Sequence, residues 1–142
     1  MSDQARFSSG SIVRYPYLWR WQSEKGREHS EKNRPVCLAM AFPDPRQNLT
    51  HLVILAISGT SPLDQQAAIE IPALEIRRAG LRDHKRAWLT ISEYNYDVAE
   101  RSYHFDTSQE PQGRFSNKFL LEIQRALRPL LQSARGRIDR TS

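Results

Sequence analysis

Two almost wholly apolar runs, VCLAMAF at residues 36–42 and HLVILAIS at residues 51–58, are separated by eight residues that begin PDPRQN. Proline, aspartate and asparagine make that connection a turn. Neither run alternates with polar residues, and neither is long enough to span a bilayer. Runs of this kind are central strands, covered on both faces or curled into a small barrel. The rest of the chain has to be arranged around them.

Upstream, residues 1–9 are polar, carry no apolar signal segment and read as a flexible arm. Gly10 opens SIVRYPYLW, where Val13, Tyr15 and Tyr17 alternate with Ile12, Arg14 and Pro16. A period of two in β-branched and aromatic residues predicts a strand. Pro16 cannot donate to a ladder, so the strand is expected at an edge or to end there. SEKGREHSEKN, residues 23–33, has no apolar residue to bury and predicts a solvated loop.

Beyond the two central runs, GTSPLDQQ is loop chemistry and AAIEIP a brief strand closed by Pro72. ALEIRRAG predicts a turn or two of helix stopped by Gly80. AWLTISE alternates, with Ala87, Leu89 and Ile91 on one face and Trp88, Thr90 and Ser92 on the other. YNYDV and SYHFD are further short extended candidates. SNKFLLEIQRALRPLL then places Phe119, Leu120, Ile123, Leu127 and Leu130 on one helical face. Ser116 or Asn117 can cap that helix, and Pro129 is expected to end or kink it. Residues 132–142 are basic and read as a flexible tail. The expected fold is mainly β (α+β): a small antiparallel β-barrel with a C-terminal helix packed on it.

With 142 residues the chain accommodates one domain, and no linker or internal repeat divides it. A formal charge of +5, from 21 basic and 16 acidic side chains, favours an acidic partner, nucleic acid being the commonest. The single cysteine, Cys37, lies in an apolar run, which makes it a core residue rather than a nucleophile. It has no second cysteine to pair with, and a reducing cytoplasm is the expected home. His29, His51, His84 and His104 lack i,i+3 or i,i+4 pairing, so no metal site and no cofactor are expected. There is no glycine-rich phosphate loop and no nucleophile elbow.

Six segments appear in a particular order: GSIVRY at residues 10–15, NRP at 33–35, LAIS at 55–58, AIEIP at 68–72, AGL at 79–81 and LTISEYN at 89–95. In that order, and over residues 10–131, the chain resembles the PemK/MazF family of toxin endoribonucleases from type II toxin–antitoxin systems, in its divergent branch. The resemblance implies an SH3-like barrel, a homodimer and metal-independent cleavage of single-stranded RNA. It also implies an acidic antitoxin protein that occupies the RNA groove, with operator DNA met only through the antitoxin complex, and no membrane partner.

By the same resemblance, the arginine before proline at the end of the first long loop is Arg34, and the strand-end hydroxyl is Ser58, with Thr60 as an alternative donor. Cleavage of this kind uses the substrate's own 2′-hydroxyl. The protein moves protons and neutralises charge growing on phosphorus. A fixed guanidinium suits the last task, because it stays charged and can hold two phosphate oxygens at once. The family's acidic proton-transfer position falls on Ser92, with Glu93 beside it as the substitute. His29 lies in the charged loop near Arg27 and could shuttle a proton.

RYPYLWRWQ, residues 14–22, then divides at Pro16. Tyr15 and Tyr17 are assigned to the core or a dimer seam. Trp19, Arg20 and Trp21 are assigned to RNA or partner contact, since aromatic planes beside arginines suit unpaired bases. Arg14, Arg27, His29 and Lys32 complete the expected RNA-binding set. The competing reading is a catalytically impaired barrel that binds RNA, DNA or a partner protein without cutting it.

Overall fold

The computed structural model describes residues 7–26, 32–62, 67–133 and 135–141. Strand β2 (Arg34–Asp44) and strand β3 (Leu49–Ser58) form the expected hairpin, turning through Asn48 at φ 55°, a left-handed conformation that asparagine tolerates. Their successive residues bury on opposite sides. Cys37, Ala39, Val53, Leu55 and Ile57 enter one core; Val36, Leu38, Leu52, Ile54 and Ala56 enter a second. Both faces are covered, which is why neither run alternates in polarity. Each fully buried Leu or Ile among them contributes about 1.5–3 kcal/mol.

Around this pair the chain builds a mainly β, barrel-like fold, with eight strands among the described residues. Strand β1 (Ser11–Tyr15) pairs antiparallel with β2 on one side. Strand β3 divides its partners: residues 57 and 58 pair with β5 (Trp88–Thr90), while residues 51–54 pair with β6 (Tyr94–Val98). Strand β4 (Ala68–Glu70) flanks β5, and β7 (Gly113–Arg114) flanks β1. Helix α2 (Ala73–Arg78) follows β4 as expected and stops at Gly80, where φ is 69°.

The long helix α3 (Asn117–Ser133) closes the first core with Phe119, Ile123 and Leu127. Ser116 caps it: its Oγ accepts from the Phe119 N–H at 3.2 Å, and the Ser116 N–H and hydroxyl both donate to Glu75 at 2.8 Å. The second core is closed by Phe7, Val13, Tyr15, Tyr17 and Phe105. Among the described residues no helix is long and apolar enough to cross a membrane.

Four local expectations differ from the structure. Residues 20–24 form a short helix, α1 (Arg20–Glu24), where the charged loop was expected to begin; the Trp19 N–H donates to the Gln22 side chain at 3.0 Å. The SYHFD segment is not a strand. Ser102 Oγ accepts from the N–H groups of His104 and Phe105, so the backbone donors that a ladder needs are already used. Pro129 neither ends α3 nor stands in the core: the helix runs on to Ser133. Pro129 lies on the exposed side, where water can replace the lost intrahelical bond.

The fourth difference is the tail. Residues 137–139 form β8 (Arg137–Asp139), parallel to β6, and Arg140 is 2% exposed. A basic composition suggested solvation, but the partners that make this arginine buriable come from elements far away in the chain. Its Nη1 donates to the Pro16 carbonyl at 2.8 Å and to Asn95 Oδ1 at 3.1 Å.

Candidate functional site

Trp88 lies directly across the β3–β5 ladder from Ser58, and Thr90, two residues on, shares its face. After Ser58 the chain turns at once: Ser58 Oγ accepts from the Thr60 N–H and donates to the Thr60 carbonyl, both at 3.1 Å. That turn places Thr60, Ser61 and Pro62 beside Trp88 and Thr90. Trp19 and Trp21, from the start of α1, complete the wall of a cleft of about 230 Å³. So three indole rings and a set of neutral hydroxyls from three separate stretches of chain meet at one place.

Trp19 is held on two sides. Tyr17 meets it edge-on with ring centroids 5.0 Å apart, and the Arg34 guanidinium lies over its ring at 5.2 Å. Arg34 itself is half-buried at the head of β2, and its Nε is buried without a hydrogen-bond partner among the described residues. Burial lowers the Arg34 pKa, but from a value so high that the group keeps its charge at neutral pH. An unsatisfied donor on a fixed cation is expensive to leave unpaired, and an anionic ligand is one way to satisfy it.

Tyr17, the edge-on partner of Trp19, also reaches Glu93, which is 4% exposed. Its Oε2 accepts from the Arg20 N–H at 2.8 Å and from the Tyr17 hydroxyl at 3.1 Å. Burial raises its pKa, opposed by the Arg20 N–H, the Tyr17 hydroxyl and the Arg20 charge. A folded-state pKa above the unfolded one means that the folded protein holds a proton the unfolded chain has lost. Stability therefore falls as pH rises from the ordinary carboxylate range through the raised value, and stays lower above it. Glu93→Gln keeps an oxygen acceptor for both donors and removes the charge. Urea unfolding across the acid-to-neutral range is expected to lose that slope in the variant and to give higher stability at neutral pH than in the wild type. A wild-type slope that persists in Glu93→Gln would refute the assignment.

The structure thus brings together Trp19, Trp21, Ser58 and Thr60 in one cleft, with Arg34 joined through the Trp19 ring and Glu93 through Tyr17. Three expected residues stand apart. Arg14 is exposed on β1, its Nη2 donating to the Asn33 carbonyl at 3.3 Å and its backbone engaged by Gln109. The Arg20 side chain pairs with Glu24 at 3.3 Å, largely in solvent. Lys32 is exposed and does not line the cleft. Arg27 and His29 lie outside the described residues.

Trp88 and Thr90 were absent from the expected site, although the alternation in AWLTISE already placed both on the face opposite Leu89. What sequence could not supply is that this face opposes Ser58. Tyr17 was read as core and is so; its hydroxyl also holds Glu93. Compared with protein-family models, with curated proteins and with solved structures, the chain matches none.

Proposed function

We propose that this protein is a toxin-type, metal-independent endoribonuclease of the PemK/MazF kind, acting on single-stranded RNA. The observation that carries the reading is the tryptophan-walled cleft with Ser58 and Thr60 at its edge and Arg34 stacked behind Trp19. Unpaired bases stack on such rings, and the adjoining guanidinium and hydroxyls suit the phosphate between them.

In the proposed reaction the substrate 2′-oxygen attacks phosphorus and its proton passes to the Glu93 carboxylate. The bond to the 5′-oxygen breaks, and that oxygen takes up a proton from water. The products are a 2′,3′-cyclic phosphate and a 5′-hydroxyl. Arg34 faces the charge on the phosphorane, and Ser58 or Thr60 orients the phosphate. A homodimer, an acidic antitoxin partner and a cytoplasmic location belong to the same proposal.

The test is incubation of partner-free protein with a long unstructured RNA in EDTA. Discrete cuts with 5′-hydroxyl ends are expected, reduced about 10²–10⁴-fold in Glu93→Gln if that carboxylate moves the proton. Intact RNA from a folded sample would overturn the nuclease reading. A second reading, RNA binding without cleavage, has its own support. Glu93 is almost fully covered, and the Ser58 hydroxyl is engaged in its own turn.

A further inference from the structure

We propose that the cleft is a single-base pocket that admits one neutral, unpaired nucleobase, with Trp88 and Thr90 determining which base is accepted. The inference rests on the RNA reading above and names what enters the cleft.

The size of the cleft suits a single base. At about 230 Å³ the cleft is smaller than the roughly 300–1,000 Å³ of sites for drug-sized ligands, so it suits one flat ring system rather than two stacked ones.

The charges around the cleft favour a neutral ring. All three tryptophans of the chain line the cleft, and each carries a cation over its ring: Arg34 on Trp19 at 5.2 Å, Lys25 on Trp21 at 5.5 Å, and Arg86 on Trp88 at 4.9 Å. None of these cations lines the cleft itself. A cage of aromatic rings ordinarily attracts quaternary ammonium ligands, because the ring faces are electron-rich. Here that density is already engaged by three positive charges, which also repel a fourth. The same arrangement leaves stacking with a neutral ring intact and favours a ligand attached to phosphate.

Strand register sets the stack on Trp88. Arg86 is held over Trp88 by a two-point pair with Glu70, Nη2 to Oε1 at 2.7 Å and Nε to Oε2 at 3.3 Å. Glu70 is the cross-strand neighbour of Trp88, so the register of β4 and β5 fixes the stack. Thr90 is 3% exposed on the same face as Trp88, and Ser61 lines the cleft with it. Hydroxyls both donate and accept, so they read the edge of a base without adding charge to the pocket.

The experiment uses the intact chain and a short single-stranded 2′-O-methyl oligonucleotide, which lacks the nucleophile and cannot be cut by the proposed route. Tryptophan fluorescence reports binding. Trp88→Leu is expected to weaken binding roughly 10–100-fold, with Trp88→Phe retaining most of it. That loss should disappear on an oligonucleotide carrying an abasic position where the pocket base would be. Thr90→Val should change the ranking of the four bases. Wild-type affinity for the oligonucleotide in a folded Trp88→Leu protein would overturn the pocket while leaving the RNA reading standing. Tight competition by a trimethyl-lysine peptide would also overturn it. If the wild type binds no oligonucleotide, the nuclease reading falls first. The pocket then stands if a free nucleoside quenches wild-type fluorescence but not that of Trp88→Leu, and falls if it does not.

Discussion

Arg34→Ala is expected to lower RNA cleavage by about 10²–10³-fold, the range seen when one fixed donor to a developing negative charge is removed. The guanidinium is fixed before substrate arrives: Trp19 lies under it, and β2 begins at the same residue. Pre-positioning of this kind is what makes a charge effective in a transition state. Arg34→Lys keeps the charge but loses the planar fork and the stack, so an intermediate loss, on the order of tenfold, is expected. Stability separates this role from a structural one. Among the described residues the Arg34 Nε is buried without a partner, so truncation also removes an unsatisfied donor. Thermal unfolding of Arg34→Ala should therefore stay within about 1 kcal/mol of the wild type. A large loss of stability with cleavage unchanged per folded molecule would make Arg34 a scaffold residue and sink its proposed part in the reaction.

Arg140→Ala is expected to cost about 1–3 kcal/mol of folding stability, measured by urea unfolding, because the charged hydrogen bonds to the Asn95 and Pro16 oxygens outweigh the relief of removing a buried Nη2 that has no partner among the described residues. Its Nη1 reaches the carbonyl of Pro16, 124 residues away in sequence, and Asn95 Oδ1. The guanidinium also lies over the Tyr15 ring at 5.4 Å. Asn95 carries the load onward, donating to the Leu18 carbonyl at 2.8 Å and accepting from the Leu18 N–H at 2.9 Å. Arg140 thus braces residues 16–18, and the next residue is Trp19 of the cleft wall. Arg140→Met keeps the apolar stem but not the donors, and should recover only part of the loss. If the tail were frayed in solution, Arg140→Ala would unfold with the wild-type midpoint, and that result would dismiss the brace.

Much of the architecture was legible in the chain. The unalternating runs at residues 36–42 and 51–58 could be stable only with both faces covered, and two cores cover them. The period of residues 119–127 and the serine before them specified a capped amphipathic helix. Alternation in residues 87–91 divided Trp88 and Thr90 from Leu89 correctly. These features are local: a side chain's neighbours within a few residues decide periodicity, capping and turn chemistry.

What tertiary structure alone decided is which of the outward-facing residues meet. Trp19 and Trp88 become walls of one cleft because β3 changes partners from β6 to β5 along its length, bringing Ser58 opposite Trp88. Glu93, a residue that looks like a solvated strand end, is buried because Tyr17 and the Arg20 N–H arrive to hydrogen-bond it. Arg140 reads as solvent-facing in a basic tail and is buried for the same reason. Composition assigns a charged side chain to water by default, since desolvating it alone is costly. Only partners delivered by distant strands offset that cost, and no short stretch of sequence records where they will come from.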